Sequence, residues 1–308
     1  MAARPIGRAF AAIKPIDRAF ARRALPKRRE DGHKGDFGKL LIAGGAVGYT
    51  GAPYLAALAA VRSGCGLVYL GVPERIWAIE AVKCVSAMPL PLPDADGMLS
   101  LDALAPIRER MKACGVLALG PGLGQSAGTR ALVSALLRET EQPVVLDADG
   151  LNALAADPSA LDARRGRTTI LTPHDGELAR LLGVSLEELA ARDHKGSGRA
   201  ETARAFAMEH GCVLVRKGHR TLVALPDGSV LENTCGGSAL AKGGSGDVLT
   251  GLTASLLAQG ADAADAAACG VWLHARAGDL LTARCTAYCV TPEDVASAGL
   301  AQAFAEIV

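Results

Sequence analysis

Short apolar runs alternate with longer amphipathic segments along most of the chain, and that alternation leaves few folds open. Lys39–Ala43, Gly66–Val72, Val116–Leu119, Pro143–Asp147, Thr168–Leu171 and Cys212–Arg216 read as strands. Thr221–Leu225 follows the last of them closely and reads as its hairpin partner. Segments near 51–63, 101–112, 126–139, 198–210, 244–258 and 261–281 carry helical spacing. Strands separated by helices predict an α/β fold with a mostly parallel central sheet flanked by helices. With 308 residues, half of them hydrophobic, the chain has ample material for one large core. Aromatics make up only 4%, while alanine and glycine abound, which suits close helix-on-sheet packing.

Several of these strands end in glycine-rich or acidic turns: Gly44-Gly45, Gly120-Pro121-Gly122-Leu123-Gly124, Asp147-Ala148-Asp149-Gly150 and Thr172-Pro173-His174. Open α/β sheets bind ligands beyond the carboxyl ends of their strands, so these loops are expected to share one edge of one sheet. Gly44-Gly45-Ala46-Val47-Gly48 does not fall in the G-x-G-x-x-G pattern, which argues against a Rossmann dehydrogenase, and no G-K-[ST] of a Walker loop occurs.

The densest motif is Ala241-Lys242-Gly243-Gly244-Ser245-Gly246-Asp247, followed by Val248, Leu249 and Leu252 at helical spacing. Glycines ahead of a helix let backbone N–H groups converge on an anion, and the helix dipole favours it. Lys242 is a candidate point charge, and Ser245 and Asp247 sit where a cap is expected. A hydroxyl attacking a phosphoryl group must lose its proton, and Asp247 is the carboxylate to take it. The same dipole predicts a weakened base. Arg216-Lys217-Gly218-His219-Arg220-Thr221 lies in the presumed hairpin, as a solvated turn or as a second wall for a nucleotide. His174 reads as a ligand contact or as a cap, and Asp147, Asp149 and Asn152 as turn residues or as water-mediated holders of Mg²⁺.

The net charge is +1, and the body offers no polyanion surface for nucleic acid. Residues 1–31 hold nine Lys or Arg against three acidic residues, and residues 1–24 read as a basic, mobile or oligomer-capping extension ahead of a single domain over 25–308. No run of eighteen apolar residues exists, so no membrane partner is expected. Eight cysteines scattered without metal-ligand spacing point to reduced thiols and a cytoplasmic location.

Taken in order, the motifs resemble the ADP-dependent NAD(P)H-hydrate dehydratase family of the ribokinase-like superfamily, from about Leu25 to the end. The carrying segments are His33–Gly38, Gly51-Ala52, Gly120–Gly124, Leu146–Asn152, Leu171–His174, Lys217–Thr221 and Ala241–Gly251. The resemblance implies a three-layer α/β/α fold and dehydration of the S-epimer of hydrated NADH or NADPH. On that resemblance, ADP (or ATP) with Mg²⁺ would phosphorylate the ring hydroxyl, leaving AMP (or ADP), and elimination would then release phosphate. By matching position, Ala52, Gly122 and His174 contact the hydrated dinucleotide. Lys217, Gly218, His219, Arg220, Thr221 and Gly246 hold the adenine nucleotide, and Asp247 faces the substrate hydroxyl. A homotetramer and a stand-alone dehydratase without an epimerase domain are further expectations. Asn233-Thr234-Cys235-Gly236-Gly237 and Lys242 depart from the common family pattern. The alternative reading is a small-molecule kinase of the same superfamily, acting on a vitamin precursor or sugar alcohol.

Overall fold

The computed structural model describes residues 12–194 and 198–308. Its strands are β1 Lys14–Ile16, β2 Lys39–Ala43, β3 Leu67–Pro73, β4 Met88–Leu92, β5 Asp94–Ala95, β6 Met98–Leu99, β7 Val116–Leu119, β8 Val144–Leu146, β9 Thr169–Leu171, β10 Val213–Arg216, β11 Leu222–Ala224 and β12 Val230–Asn233. The helices up to residue 194 are α1 Arg18–Ala24, α2 Gly51–Arg62, α3 Glu74–Lys83, α4 Leu104–Met111, α5 Ala127–Glu139, α6 Ala148–Ala156, α7 Ser159–Asp162, α8 Asp175–Leu181 and α9 Leu186–His194. After it come α10 Gly198–His210, α11 Ser245–Ala258, α12 Ala263–Cys289, α13 Pro292–Asp294 and α14 Leu300–Ala305.

Ten strands form one sheet in the order β1-β12-β11-β10-β9-β8-β7-β2-β3-β4. From β10 to β4 every neighbouring pair is parallel. The predicted hairpin is present as the antiparallel pair β10 and β11, with Leu214 opposite Ala224. Alternation along each strand divides the core into two layers. Leu40 and Ile42 of β2 pack with α2, α11 and α12 on one face, while Leu41 and Ala43 pack with α5, α6 and α10 on the other. The α/β arrangement is therefore three layers deep, as expected.

Several local readings change. Residues 14–24 are not an appendage. Ile16 is buried, and β1 pairs in parallel with β12. Asp17 caps α1, placing Ala21 and Ala24 in the core beside α12. The basic count had hidden a short apolar face. Residues 1–11 of that extension lie outside the described residues. The edge strand β4 was not predicted because Pro89 and Pro91 break the pattern; at an edge, their missing N–H groups cost little. The helix expected over 101–112 begins as a 3₁₀ turn, Leu101–Ala103, before α4. α12 extends beyond the predicted 281 to Cys289, with Thr286 non-helical inside it.

Candidate active site

Loops at the carboxyl ends of β2, β7, β8, β9 and β10 stand side by side because these strands are consecutive and parallel. At Gly120 the backbone has φ 135°, and a Cβ there would sit 1.8 Å from the Asp147 carbonyl oxygen. Only glycine lets the β7 and β8 loops approach so closely. At Gly122, φ is 64° and a Cβ would lie 3.0 Å from the Ala52 Cβ, so these two residues are immediate neighbours at the start of α2.

Asp147 is the buried hub. Its Oδ1 accepts a 2.7 Å hydrogen bond from Lys217 Nζ, and its Oδ2 accepts one of 2.7 Å from Thr250 Oγ1. Lys217 also lies 3.7 Å from Glu177 Oε2. Burial works against the ammonium, but Asp147 and Glu177 more than compensate and raise its pKa. Asp149 accepts from Gly124 N, Gln125 Nε2 and Asn152 Nδ2, which ties the β7 loop to α6.

Asp247 sits in the first turn of α11. Its pKa is raised to about 7, first by burial and then by the negative charge of Asp147; Lys217 pulls the other way, and Asp149 and Glu177 raise it further. Where the dipole led the sequence reading to expect a lowered pKa, desolvation among carboxylates raises it and leaves the group poised near neutrality. The cap expectation also changes. The N-cap is Gly244, at φ 98°, and it supplies no side chain, so Ser245 and Asp247 do not close the helix end. The Ser245 N–H donates to the Lys242 carbonyl oxygen at 3.2 Å, which leaves the N–H groups of Gly246 and Asp247 as the donors of this turn for an anion. Lys242 lines the cavity described below, but its Nζ donates to the carbonyls of Ala287, Tyr288 and Val290 at the end of α12, so its charge is engaged there.

A cavity of about 650 Å³ opens against this helix end. Lys217, Gly218, His219, Arg220, Thr221 and Gly246 all line it, and so does His174. Its far wall is the turn from Asn233 to Ser238, where the sequence had suggested only a departure from pattern. Ala52, Gly122 and Asp247 are not among its lining residues. His174 caps α8, its Nδ1 accepting from Gly176 N and Glu177 N, while Glu177 Oε2 accepts from His174 N. More than half of its side chain stays exposed, so capping and lining coexist. Arg216 is fully buried and paired with Asp175 and Asp193, so the hairpin turn is anchored rather than solvated there. Arg220 pairs with Glu232.

Sequence reasoning missed Thr250, Glu177, Ser245 as a cavity residue, and His274. Thr250 stands three residues after Asp247 on the same helix, a spacing that carried a signal. His274 is a polar residue inside an apolar helical run, a weaker one. The His33–Gly38 segment lies at the opposite end of the sheet, before β2. Gly66 passes so close beneath it that a Cβ would lie 1.8 Å from the Lys34 carbonyl oxygen. It shapes a turn and touches no part of the cavity lining.

No group of three or more His, Cys, Asp or Glu side chains suited to a metal ion occurs among the described residues. No described helix is long and apolar enough to cross a membrane.

The family model described as NAD(P)H-hydrate dehydratase matches residues 40–299. The chain is 45% identical over 262 residues to a bifunctional NAD(P)H-hydrate repair enzyme of Moorella thermoacetica, covering 85% of this chain and 48% of that one. It is 40% identical over 256 residues to an ADP-dependent (S)-NAD(P)H-hydrate dehydratase of Neisseria meningitidis, covering 82% and 80%. The chain thus spans about half the length of the bifunctional relatives it matches. In three dimensions it resembles the ADP/ATP-dependent NAD(P)H-hydrate dehydratase of Bacillus subtilis co-crystallized with ATP/Mg²⁺. That likeness has a TM-score of 0.79 at 30% identity, over 96% of this chain and 99% of that one. A ribokinase-like superfamily protein of Enterococcus faecalis, at TM-score 0.81 and 22% identity, shares the fold. With most of its length matched by the family model and its sheet, loops and helix end arranged on the same fold, the chain belongs to the NAD(P)H-hydrate dehydratase family.

Proposed function

We propose that the protein dehydrates the S-epimer of hydrated NADH or NADPH at the expense of ADP, restoring the dinucleotide and releasing AMP and phosphate. One observation carries the reading most: a carboxylate with pKa raised to about 7 stands in the first turn of an uncapped helix beside a nucleotide-sized cavity. Asp247 takes the proton from the ring hydroxyl as its oxygen attacks the terminal phosphoryl group. The bond to the leaving phosphate of AMP breaks, and the helix-end N–H groups and Lys217 hold the developing charge. The phosphorylated intermediate then loses phosphate, and the adjacent ring carbon gives its proton to solvent, as the ring double bond re-forms. Hydroxide is a poor leaving group, whereas phosphate leaves readily.

The adenine nucleotide occupies the cavity between Lys217–Thr221 and Gly246, and the hydrated ring lies on the Ala52 and Gly122 side of Asp247. His174, on the cavity rim, can meet either. Mg²⁺ supplies neutralisation of phosphate charge. The oxygens of Asp147 and Asp149 already accept protein hydrogen bonds, so these residues suit an ion that rides on the phosphates and is held through water. Free thiols at all eight cysteines support a cytoplasmic location. Exposed Ile79, Val82 and Val85 support the homotetramer, which light scattering checks.

The test is to incubate the purified protein with hydrated NADH, ADP and Mg²⁺ and follow recovery of reduced-nicotinamide absorbance. No recovery with ADP or with ATP removes the proposal. A stable phosphorylated small alcohol in its place would establish the kinase reading.

A further inference from the structure

α11 begins at a glycine cap with nothing to occupy its end, and two polar side chains line the cavity beside it. Ser245 is buried in the first turn, and His274 is buried on the facing helix α12. The Ser245 Oγ lies 3.2 Å from His274 Nε2. Ser245 follows the N-cap Gly244, and its hydroxyl is partnered across the helix pair by the α12 ring.

We propose that His274 is a positioning residue for the nucleotide: its Nε2–H donates to Ser245 Oγ and thereby aims the serine proton at a phosphate oxygen held on the α11 end. A hydroxyl has one proton to give. If it gave that proton to His274, it could offer the phosphate only lone pairs, which repel an anion. With His274 as the donor, Ser245 adds a side-chain donor to the backbone N–H groups of the same turn. Burial lowers the His274 pKa to about 4 against an opposing hydrogen bond to the Ser245 backbone, with Lys217 near by lowering it further, so the ring is neutral at working pH and acts by orientation rather than charge. An apolar residue would fill the same space in α12 but would leave the Ser245 proton undirected.

The inference rests on the nucleotide reading of the cavity, so the experiment first measures whether the parent protein binds ADP with Mg²⁺ by calorimetry. It then compares KM for ADP and for hydrated NADH in Ser245→Ala, His274→Phe, the double variant and His274→Gln. A donor lost from an anionic ligand is expected to raise KM for ADP about tenfold in each single variant. KM for hydrated NADH should stay unchanged, and the double variant should be no worse than either single one. His274→Gln, which keeps a side-chain donor, should remain within about threefold of the parent. A KM for ADP unaffected by Ser245→Ala, or two single effects that multiply in the double variant, overturns the positioning role and leaves the nucleotide reading intact. A parent protein that binds neither ADP nor ATP overturns both. Circular dichroism melts check folding, and if His274→Phe does not fold, Ser245→Ala and His274→Gln decide alone.

Discussion

Replacing Asp247 by Asn should abolish turnover and at the same time stabilise the protein above neutral pH. The folded carboxyl has its pKa raised from 3.8 to about 7, through burial and the charge of Asp147. Between those values the folded state holds a proton that the unfolded chain has released, so folding takes up a proton and lower pH favours it. The stabilisation is complete below the unfolded value and disappears as pH rises through 7. At about 1.36 kcal/mol per unit, a shift of roughly three units costs on the order of 4 kcal/mol once the group is ionised. Asn carries no such cost. Urea unfolding at pH 5.5 and pH 8 makes the effect measurable, because the parent should lose about 2 kcal/mol over that interval relative to the variant. Calorimetry should show ADP binding retained in the variant, since the helix-end N–H groups are untouched. A stability gap that stays constant or narrows toward pH 8 would refute the account of Asp247 as a desolvated carboxylate among like charges. Near-normal turnover in the variant would refute its assignment as the base.

Three further substitutions separate the parts of the site. Lys217→Met leaves the buried Asp147 carboxylate with only Thr250 as partner, so denaturant unfolding should show a loss of about 3–5 kcal/mol, together with loss of ADP binding by calorimetry. Gly246→Ala would place a Cβ 3.3 Å from Lys217 Nζ and 3.5 Å from Asp147 Oδ2. It should cut kcat while shifting the melting temperature little; an unchanged kcat would show that the Lys217–Asp147 pair tolerates displacement. Lys242→Met removes three donations to carbonyls at the end of α12 and should lower stability by about 1 kcal/mol with ADP affinity nearly unchanged. A large fall in affinity would restore Lys242 to the nucleotide site.

What could be read from residue order was what depends on local pattern. Short continuous apolar runs such as Lys39–Ala43 and Val116–Leu119 marked the strands, and Gly243–Asp247 marked the helix end, because apolar runs and glycine turns are encoded over a few positions. The order of motifs pointed to the family, and the family match bears that out. Patterns broken by prolines or masked by basic residues, as in β4 and β1, were not legible: an edge position and a small buried face exist only once the sheet is assembled. The site's electrostatics belong to the same class. Asp147, Lys217 and Asp247 are far apart in the chain and act on one another because β8, β10 and α11 bring them together in one buried cluster. A sequence shows that Asp247 follows a glycine turn at a helix start, and the dipole there argues for a low pKa. Only the tertiary structure sets how far that carboxylate is buried and which charges face it, and burial beside Asp147 raises its pKa.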